Sequence, residues 1–319
     1  MRVAFFGTPD FAVPSLRALV GEGFDVVAVV TQPDAPQGRS RSKLIPPPVK
    51  VAAEAEELTV FQPEKPTDGA FLLRLRDTRP DIGVVVAYGH ILKPELLELP
   101  PRGMVNVHPS LLPGLRGAAP VEWAIIRGHE TTGVTIIQLD AGMDAGPILH
   151  QISHRIEPDI TGGELSAHLS EVGAQALVET LAMMEQGDRP PQPVPQDESR
   201  VTFAPKLTRE VARIDWTKDA RAIGCLIRGL DPRPGAWTEL NGAELKLFNP
   251  KVNETPLPGT GAPGQVLATD GSLVIATGPF TDTAGGTVEI FEVQPAGKAR
   301  MTTDDWLRGA RLKAGTRLT

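Results

Sequence analysis

One cysteine in 319 residues is the chain's clearest scarcity. Cys225 can close no disulfide within the chain, and no thiolate cluster can gather around a metal. It reads as a small apolar residue buried on a helix. Histidine is scarce as well, six in all. His150 and His154 stand four apart, but Gln151-Ile152-Ser153 between them alternates like a strand, where such a pair lies too far apart to chelate one ion. A zinc site is therefore rejected, and no metal is expected. No apolar run is long enough to span a bilayer, so no membrane partner is expected. Met1 is followed at once by the strand-like run Val3–Phe6, with no signal or transit peptide in view, and the expected location is the cytoplasm. Gly7-Thr8-Pro9-Asp10 after that run lacks the glycine spacing of a dinucleotide fingerprint, which argues against nicotinamide and flavin cofactors.

Glycine and proline, by contrast, are abundant, and they divide the chain. In the first two-thirds, apolar runs of strand length (Val3–Phe6, Val26–Thr31, Val84–Ala87, Met104–His108, Val134–Leu139) alternate with helical patterns. The helices are expected over Ser15–Gly21, Pro48–Glu57, Ala70–Thr78, Ala119–Gly128 and Glu164–Gln186. Thr161-Gly-Gly-Glu164 is a capping-box pattern ahead of the last of these. Alternation of this kind predicts an α/β fold, a Rossmann-like doubly wound parallel sheet. Asp188-Arg-Pro-Pro-Gln-Pro-Val-Pro-Gln196 then reads as an extended, semi-rigid linker. Beyond residue 206 come short runs, Glu244–Phe248, Gly264–Ala268, Leu273–Thr277 and Val288–Val293, separated by Gly and Pro. They predict a small β-barrel. The expected division is a catalytic domain over 1–187, a linker over 188–205 and a C-terminal domain over 206–319.

The chemistry concentrates in two segments, Asn106-Val-His-Pro-Ser-Leu-Leu-Pro-Gly-Leu-Arg-Gly-Ala-Ala-Pro120 and Asp140-Ala-Gly-Met-Asp-Ala-Gly146. Asn106 and His108 are two apart, so in a strand they share one face. Pro109 ends that strand and places the pair at its carboxyl end, the edge where open parallel sheets bind ligands. Asp144 lies in the middle of a glycine-rich loop after the run Val134–Leu139. An amide can stabilise a developing oxyanion, while imidazole and carboxylate can pass protons. That trio can move an acyl group without a metal or a covalent intermediate. Each residue also has a plain structural reading, and the spacing alone does not name the reaction: Asn106 could cap a turn, His108 could be a core histidine, and Asp144 could be an Asx-turn residue.

The two segments, with Gly133-Val134-Thr135 between them and Pro147 after, resemble the signature of the 10-formyltetrahydrofolate-dependent formyltransferases. Arg2–Pro14, Val30-Thr-Gln-Pro-Asp34, Lys43–Lys50, Ala204-Pro-Lys206, Arg213-Ile-Asp-Trp216, Asp231–Trp237, Pro295-Ala-Gly-Lys298 and Asp305-Trp-Leu-Arg-Gly309 extend the resemblance nearly end to end. They are similar to the branch of that family that formylates the methionine of charged initiator tRNA. The departures are a serine-interrupted basic loop, Arg39-Ser-Arg-Ser-Lys43, and Asp231 and Arg233 where that branch is expected to carry Asn and Trp. The resemblance implies that Asn106, His108 and Asp144 are catalytic. It also implies that Ser110, Leu111, Leu112 and Pro113 contact the folate, that Val85 and Tyr88 help to build its slot, and that the C-terminal barrel is OB-like. The implied formyl donor is 10-formyltetrahydrofolate, a co-substrate.

Charge bears on the implied partner. The chain is net −7, which argues against nucleic acid, but the negative excess lies in its first part. From Lys206 onward 15 Lys and Arg face 13 Asp and Glu. Basic residues also cluster locally, and clusters rather than totals set phosphate contacts. With the resemblance, Arg39, Arg41, Lys43 and Lys50, and then Lys206, Lys298 and Arg300, are expected to contact initiator methionyl-tRNA. The expected form is a monomer. Two other readings stay open, a formyltransferase acting on a sugar nucleotide and a non-catalytic tRNA- or folate-binding protein.

Overall fold

The computed structural model describes residues 1–37, 43–186, 191–254, 261–279 and 285–319. Two compact units emerge. The first holds residues 1–120, 131–155 and 166–204, the second residues 121–130, 156–165 and 205–319.

The first unit is built on a seven-stranded sheet of β1 (Arg2–Gly7), β2 (Asp25–Val30), β3 (Val60–Phe61), β4 (Ile82–Val86), β5 (Met104–His108), β6 (Thr131–Gln138) and β7 (Ile148–Arg155). Its spatial order is β7-β6-β5-β4-β1-β2-β3. Helices α1 (Val13–Gly21), α2 (Pro48–Ala55) and α3 (Gly69–Asp77) follow its early strands, whereas α4 (Pro120–Ile126), next after β5 in the chain, belongs from Val121 on to the second unit. All five residues of β4 are buried, as an apolar run in the middle of a covered sheet must be. β7 alternates half-buried and exposed positions, the pattern of an edge strand with one wet face. The core on one side gathers Phe6, Val30, Phe71, Leu75 and Met104.

Five strands, β1 to β5, run parallel. The last two do not: β6 is antiparallel to β5, and β7 to β6. The expected parallel sheet forms the centre of the unit, and β6 and β7 add an antiparallel edge to it. The reason is the short Asp140–Pro147 connection, which contains no crossover helix, so β7 must return beside β6 as a hairpin arm. The capping box forms as the sequence predicts. Thr161 N–H donates to the Glu164 carboxylate at 2.9 Å, and Glu164 N–H returns to Thr161 Oγ1 at 3.2 Å, opening α5 (Gly162–Gln186).

The second unit is an OB-like antiparallel sheet of β8 (Ala236–Leu240), β9 (Ala243–Asn253), β10 (Val266–Ala268), β11 (Leu273–Ala276) and β12 (Thr287–Pro295), with β13 (Met301–Thr302) beside β12. The order is β8-β9-β12-β11-β10. Asn241-Gly242 turns the β8–β9 hairpin with φ of 53° and 78°, the Asn-Gly turn whose twist matches the strands it joins. The amphipathic helix α6 (Ala220–Gly229) buries Ile223 and Ile227 in a core with Trp216, Leu247 and Ile290. Two short stretches from earlier in the chain pack here. Gly229 lies against Ile126, and Arg228 donates to the Ile160 carbonyl at 3.0 Å.

Candidate active site

β5 ends at His108 with Met104, Asn106 and His108 on one face, as the two-residue spacing requires. Asn106 is half-buried, and His108 is only 4% exposed. β6 does not bring Asp144 to them through its strand end. Val105 pairs with Gln138 and His108 with Thr135, so β6 finishes opposite the start of β5. The loop after it folds back instead, and puts Asp144 Oδ2 3.7 Å from His108 Nδ1.

Asp144 has φ of 50°, in the left-handed region that costs an ordinary residue roughly 1 kcal/mol or more and that Asp and Asn tolerate best. The same Oδ2 accepts the Gly117 N–H at 2.9 Å. Gly117 itself sits at φ of 123°, with an added Cβ only 2.7 Å from the Ala204 carbonyl oxygen, so no side chain fits there. The other face of His108 is fixed too, Nε2 lying 3.0 Å from the Leu115 carbonyl oxygen. A carbonyl only accepts, so Nε2 carries the proton in the neutral ring and Nδ1 presents its lone pair toward Asp144. Burial holds the His108 pKa below the ordinary histidine value, opposed by the Asp144 charge and by the Leu115 carbonyl.

The loop after β5 is pinned along its length. Ser110 Oγ donates to the Gly114 carbonyl at 2.6 Å, and Thr135 Oγ1 donates to the Ser110 carbonyl at 2.6 Å while accepting the Leu112 N–H at 3.1 Å. Gln151 Nε2 donates to the Leu112 carbonyl at 2.9 Å. Ser110 and Leu112 are therefore buried and committed within the protein, while Leu111 and Pro113 remain half-buried at the surface of the loop.

Several expected contacts fall elsewhere. The side chains of Val85 and Tyr88 belong to the apolar core rather than to an open slot, with Tyr88 only 1% exposed. Burial raises the Tyr88 phenol to about 12. What Tyr88 presents is its carbonyl, which accepts from Thr8 Oγ1 and Gln32 Nε2, each at 3.0 Å. Lys50 is not a free cation. Its ammonium donates to both Asp34 carboxylate oxygens, at 2.9 and 3.0 Å, and Gln62 joins them at 2.7 Å. The Gln62 and Lys50 hydrogen bonds keep Asp34 below its usual pKa. Arg300 is likewise engaged, donating to the buried Asp231 at 2.6 and 3.1 Å and to Glu292, and stacking 4.1 Å from the Phe248 ring centre. Lys206 and Lys298 are exposed. Arg39 and Arg41, and the side chain of Lys43, lie outside the described residues. Among the described residues, no group of three or more His, Cys, Asp or Glu could hold a metal.

Sequence reasoning missed the supports of the trio. Thr135 lies in the Gly133-Val134-Thr135 motif without a role there, and Gln151 gives no signal beyond its place in a strand. Arg116 stood inside a motif without a role. Gln196 falls in the stretch whose prolines predict a linker, yet residues 194–204 are bonded into the first unit: Val194 pairs with Ile148, and Thr202 Oγ1 accepts the Leu115 N–H at 2.9 Å.

A buried imidazole facing a half-buried carboxylate, on a strand that also carries an amide, can serve acyl transfer. Residues 1–181 match the formyl transferase family, and residues 206–311 match the formyl transferase C-terminal domain. The class is thus that of the formyl transferases. The chain is 45% identical over 311 residues to the methionyl-tRNA formyltransferase of Halalkalibacterium halodurans, covering 97% of this chain and 95% of that one. Two solved structures share the fold. The methionyl-tRNA formyltransferase of Clostridium thermocellum has a TM-score of 0.57 at 17% identity, over 79% of this chain and 93% of that one. HypX of Aquifex aeolicus in complex with tetrahydrofolic acid has a TM-score of 0.63 at 21% identity, over 98% of this chain and 48% of that one. The chain belongs to the methionyl-tRNA formyltransferases.

Proposed function

We infer that this enzyme transfers the formyl group of 10-formyltetrahydrofolate to the α-amine of methionine on charged initiator tRNA. The observation that carries the chemistry is the buried His108 facing the half-buried Asp144, with Asn106 on the same strand as His108. The neutral amine attacks the formyl carbon, and a tetrahedral oxyanion forms. The Asn106 carboxamide donates to that oxyanion, a role usually worth a hundredfold or more in rate. The amine proton passes to the His108–Asp144 pair, whose Nδ1 lone pair and carboxylate face each other. Collapse breaks the bond to N10 of the folate, which takes up a proton and leaves as tetrahydrofolate.

Leu111 and Pro113 give the folate ring an apolar edge on a loop already held by Thr135 and Gln151, so little order is lost on binding. Residues 1–187 serve as the catalytic domain and 206–319 as an OB-like tRNA-binding domain. Arg39, Arg41 and Lys43 in the loop, with Lys206 and Lys298, supply the cations for phosphate, and the enzyme acts as a cytoplasmic monomer. Lys50 and Arg300 drop out of that set, because each already neutralises a carboxylate.

The test is formyl transfer from 10-formyltetrahydrofolate to charged initiator tRNA, with free methionine and a 4-amino sugar nucleotide as competing acceptors. Preference for the sugar nucleotide would overturn the reading.

A further inference from the structure

We propose that Gln196 is a positioning residue for the reaction, and that it and Arg116 together hold the Asp144 loop in its working geometry. The inference rests on the catalytic reading of Asp144 given above. Gln196 Nε2 donates to the carbonyls of Asp144 and Gly146, each at 2.8 Å. Its Oε1 accepts from Arg116 Nε at 3.0 Å and Nη2 at 2.8 Å. The amide orientation follows from its partners alone: a guanidinium only donates and a carbonyl only accepts, so a flipped amide would lose all four bonds. Arg116 is 5% exposed, and Glu198 holds its remaining face, at 2.8 and 3.4 Å.

The arrangement closes a ring through the site. Arg116 precedes Gly117, whose N–H binds the Asp144 carboxylate, and Gln196 binds the carbonyl of Asp144 itself. One residue is thus gripped at its side chain by the first catalytic loop and at its backbone by a partner of that loop. Asp144 needs such support because its backbone is left-handed. Gly146 leaves no freedom on the other side, since a Cβ there would stand 1.8 Å from the Gln138 carbonyl oxygen. The strap that carries Gln196 is itself anchored at both ends, at Val194 on Ile148 and at Phe203 and Ala204 on Arg116 and Gly117.

The deciding variant is Gln196→Glu, which keeps the acceptors for Arg116 and removes the two N–H donors to the Asp144 loop. Gln196→Met serves as a second variant should Gln196→Glu fail to fold. Each is measured beside Asp144→Asn and the Gln196→Glu/Asp144→Asn double variant. A loop displaced by about an ångström costs up to a hundredfold in rate. The expected result for Gln196→Glu is a kcat roughly ten- to a hundredfold down, KM for both substrates within about twofold, and a lowered melting midpoint with the native fold kept at the assay temperature. The double variant should be no slower than Asp144→Asn alone. Wild-type kcat in Gln196→Glu and Gln196→Met, with Asp144→Asn impaired, overturns the inference. So does a double variant slower by the product of the two losses, which would place Gln196 in another role. Wild-type kcat in Asp144→Asn instead removes the catalytic reading itself, whatever Gln196 does.

Discussion

His108 Nδ1 and Asp144 Oδ2 face each other across 3.7 Å, close enough for charge to act and too far for a hydrogen bond. The other ring nitrogen is occupied by the Leu115 carbonyl. The pair is therefore poised rather than joined: in the neutral ring the Nδ1 lone pair faces the carboxylate with no proton between them.

This fixes a pH dependence. His108 is held below the value of about 6.5 usual for histidine, chiefly by burial, so its ring is neutral at pH 7. The unfolded chain binds a proton at His108 at a higher pH than the folded chain does. The stability this residue contributes is full above about pH 6.5 and declines as pH falls through the lowered native value. NMR titration should place the His108 pKa below 6.5. In Asp144→Asn it should fall further, because the charge that opposes the shift is gone. A native value above 6.5 contradicts the neutral ring.

Removing the groups themselves should cost more than shifting them. Asp144→Asn keeps shape and backbone preference but loses the charge, and Asn106→Asp sets a negative charge against the oxyanion. Each should lower kcat roughly a hundredfold or more with little change in the melting midpoint. Near wild-type turnover in a folded variant would take that residue out of the mechanism.

Arg300 should behave as a stabilising clamp. Arg300→Met leaves the Asp231 carboxylate buried without its partner, at a cost of about 2–3 kcal/mol. Urea unfolding should show the loss, while the KM for tRNA stays near wild type. An unchanged midpoint with a raised KM would instead return Arg300 to the RNA surface.

Salt dependence separates the two kinds of cation. Each phosphate contact removed lowers the slope of log K against log salt by about one. Arg39→Ala with Arg41→Ala should flatten that slope for charged initiator tRNA and leave folate binding unchanged. Lys50→Met should leave the slope where it was, since its ammonium is paired with Asp34. A slope that drops with Lys50→Met would mean the pair opens when RNA binds.

What could be read from the chain beforehand follows a physical divide. Met104–His108 was legible to the residue, because an apolar run closed by proline has one reading and its period fixes which side chains share a face. The capping box was legible for the same local reason. The direction of β6 was not, since a parallel and an antiparallel strand bear the same buried pattern. Nor were the partners of Lys50 and Arg300, because an ion pair between Lys50 and Asp34 or between Arg300 and Asp231 depends on the fold that brings them together. As a letter, Asp231 is only a departure from the residue expected in the family. It proved to be the buried acid that claims Arg300. Gln196 was hidden by composition: prolines make a stretch extended, and an extended stretch can be a tether or a strap with the same letters.

The left-handed backbone at Asp144 narrows the paths along which this site could change over evolutionary time. The proposed chemistry asks for a carboxylate there, and the peptide conformation admits Asp, Asn and Gly with least strain. Glu would keep the acid but not suit the turn, while Asn would keep the turn but not the acid. In a descendant that abandoned formyl transfer, Asn or Gly could replace Asp144 with little strain, and the loop could keep its shape without its acid.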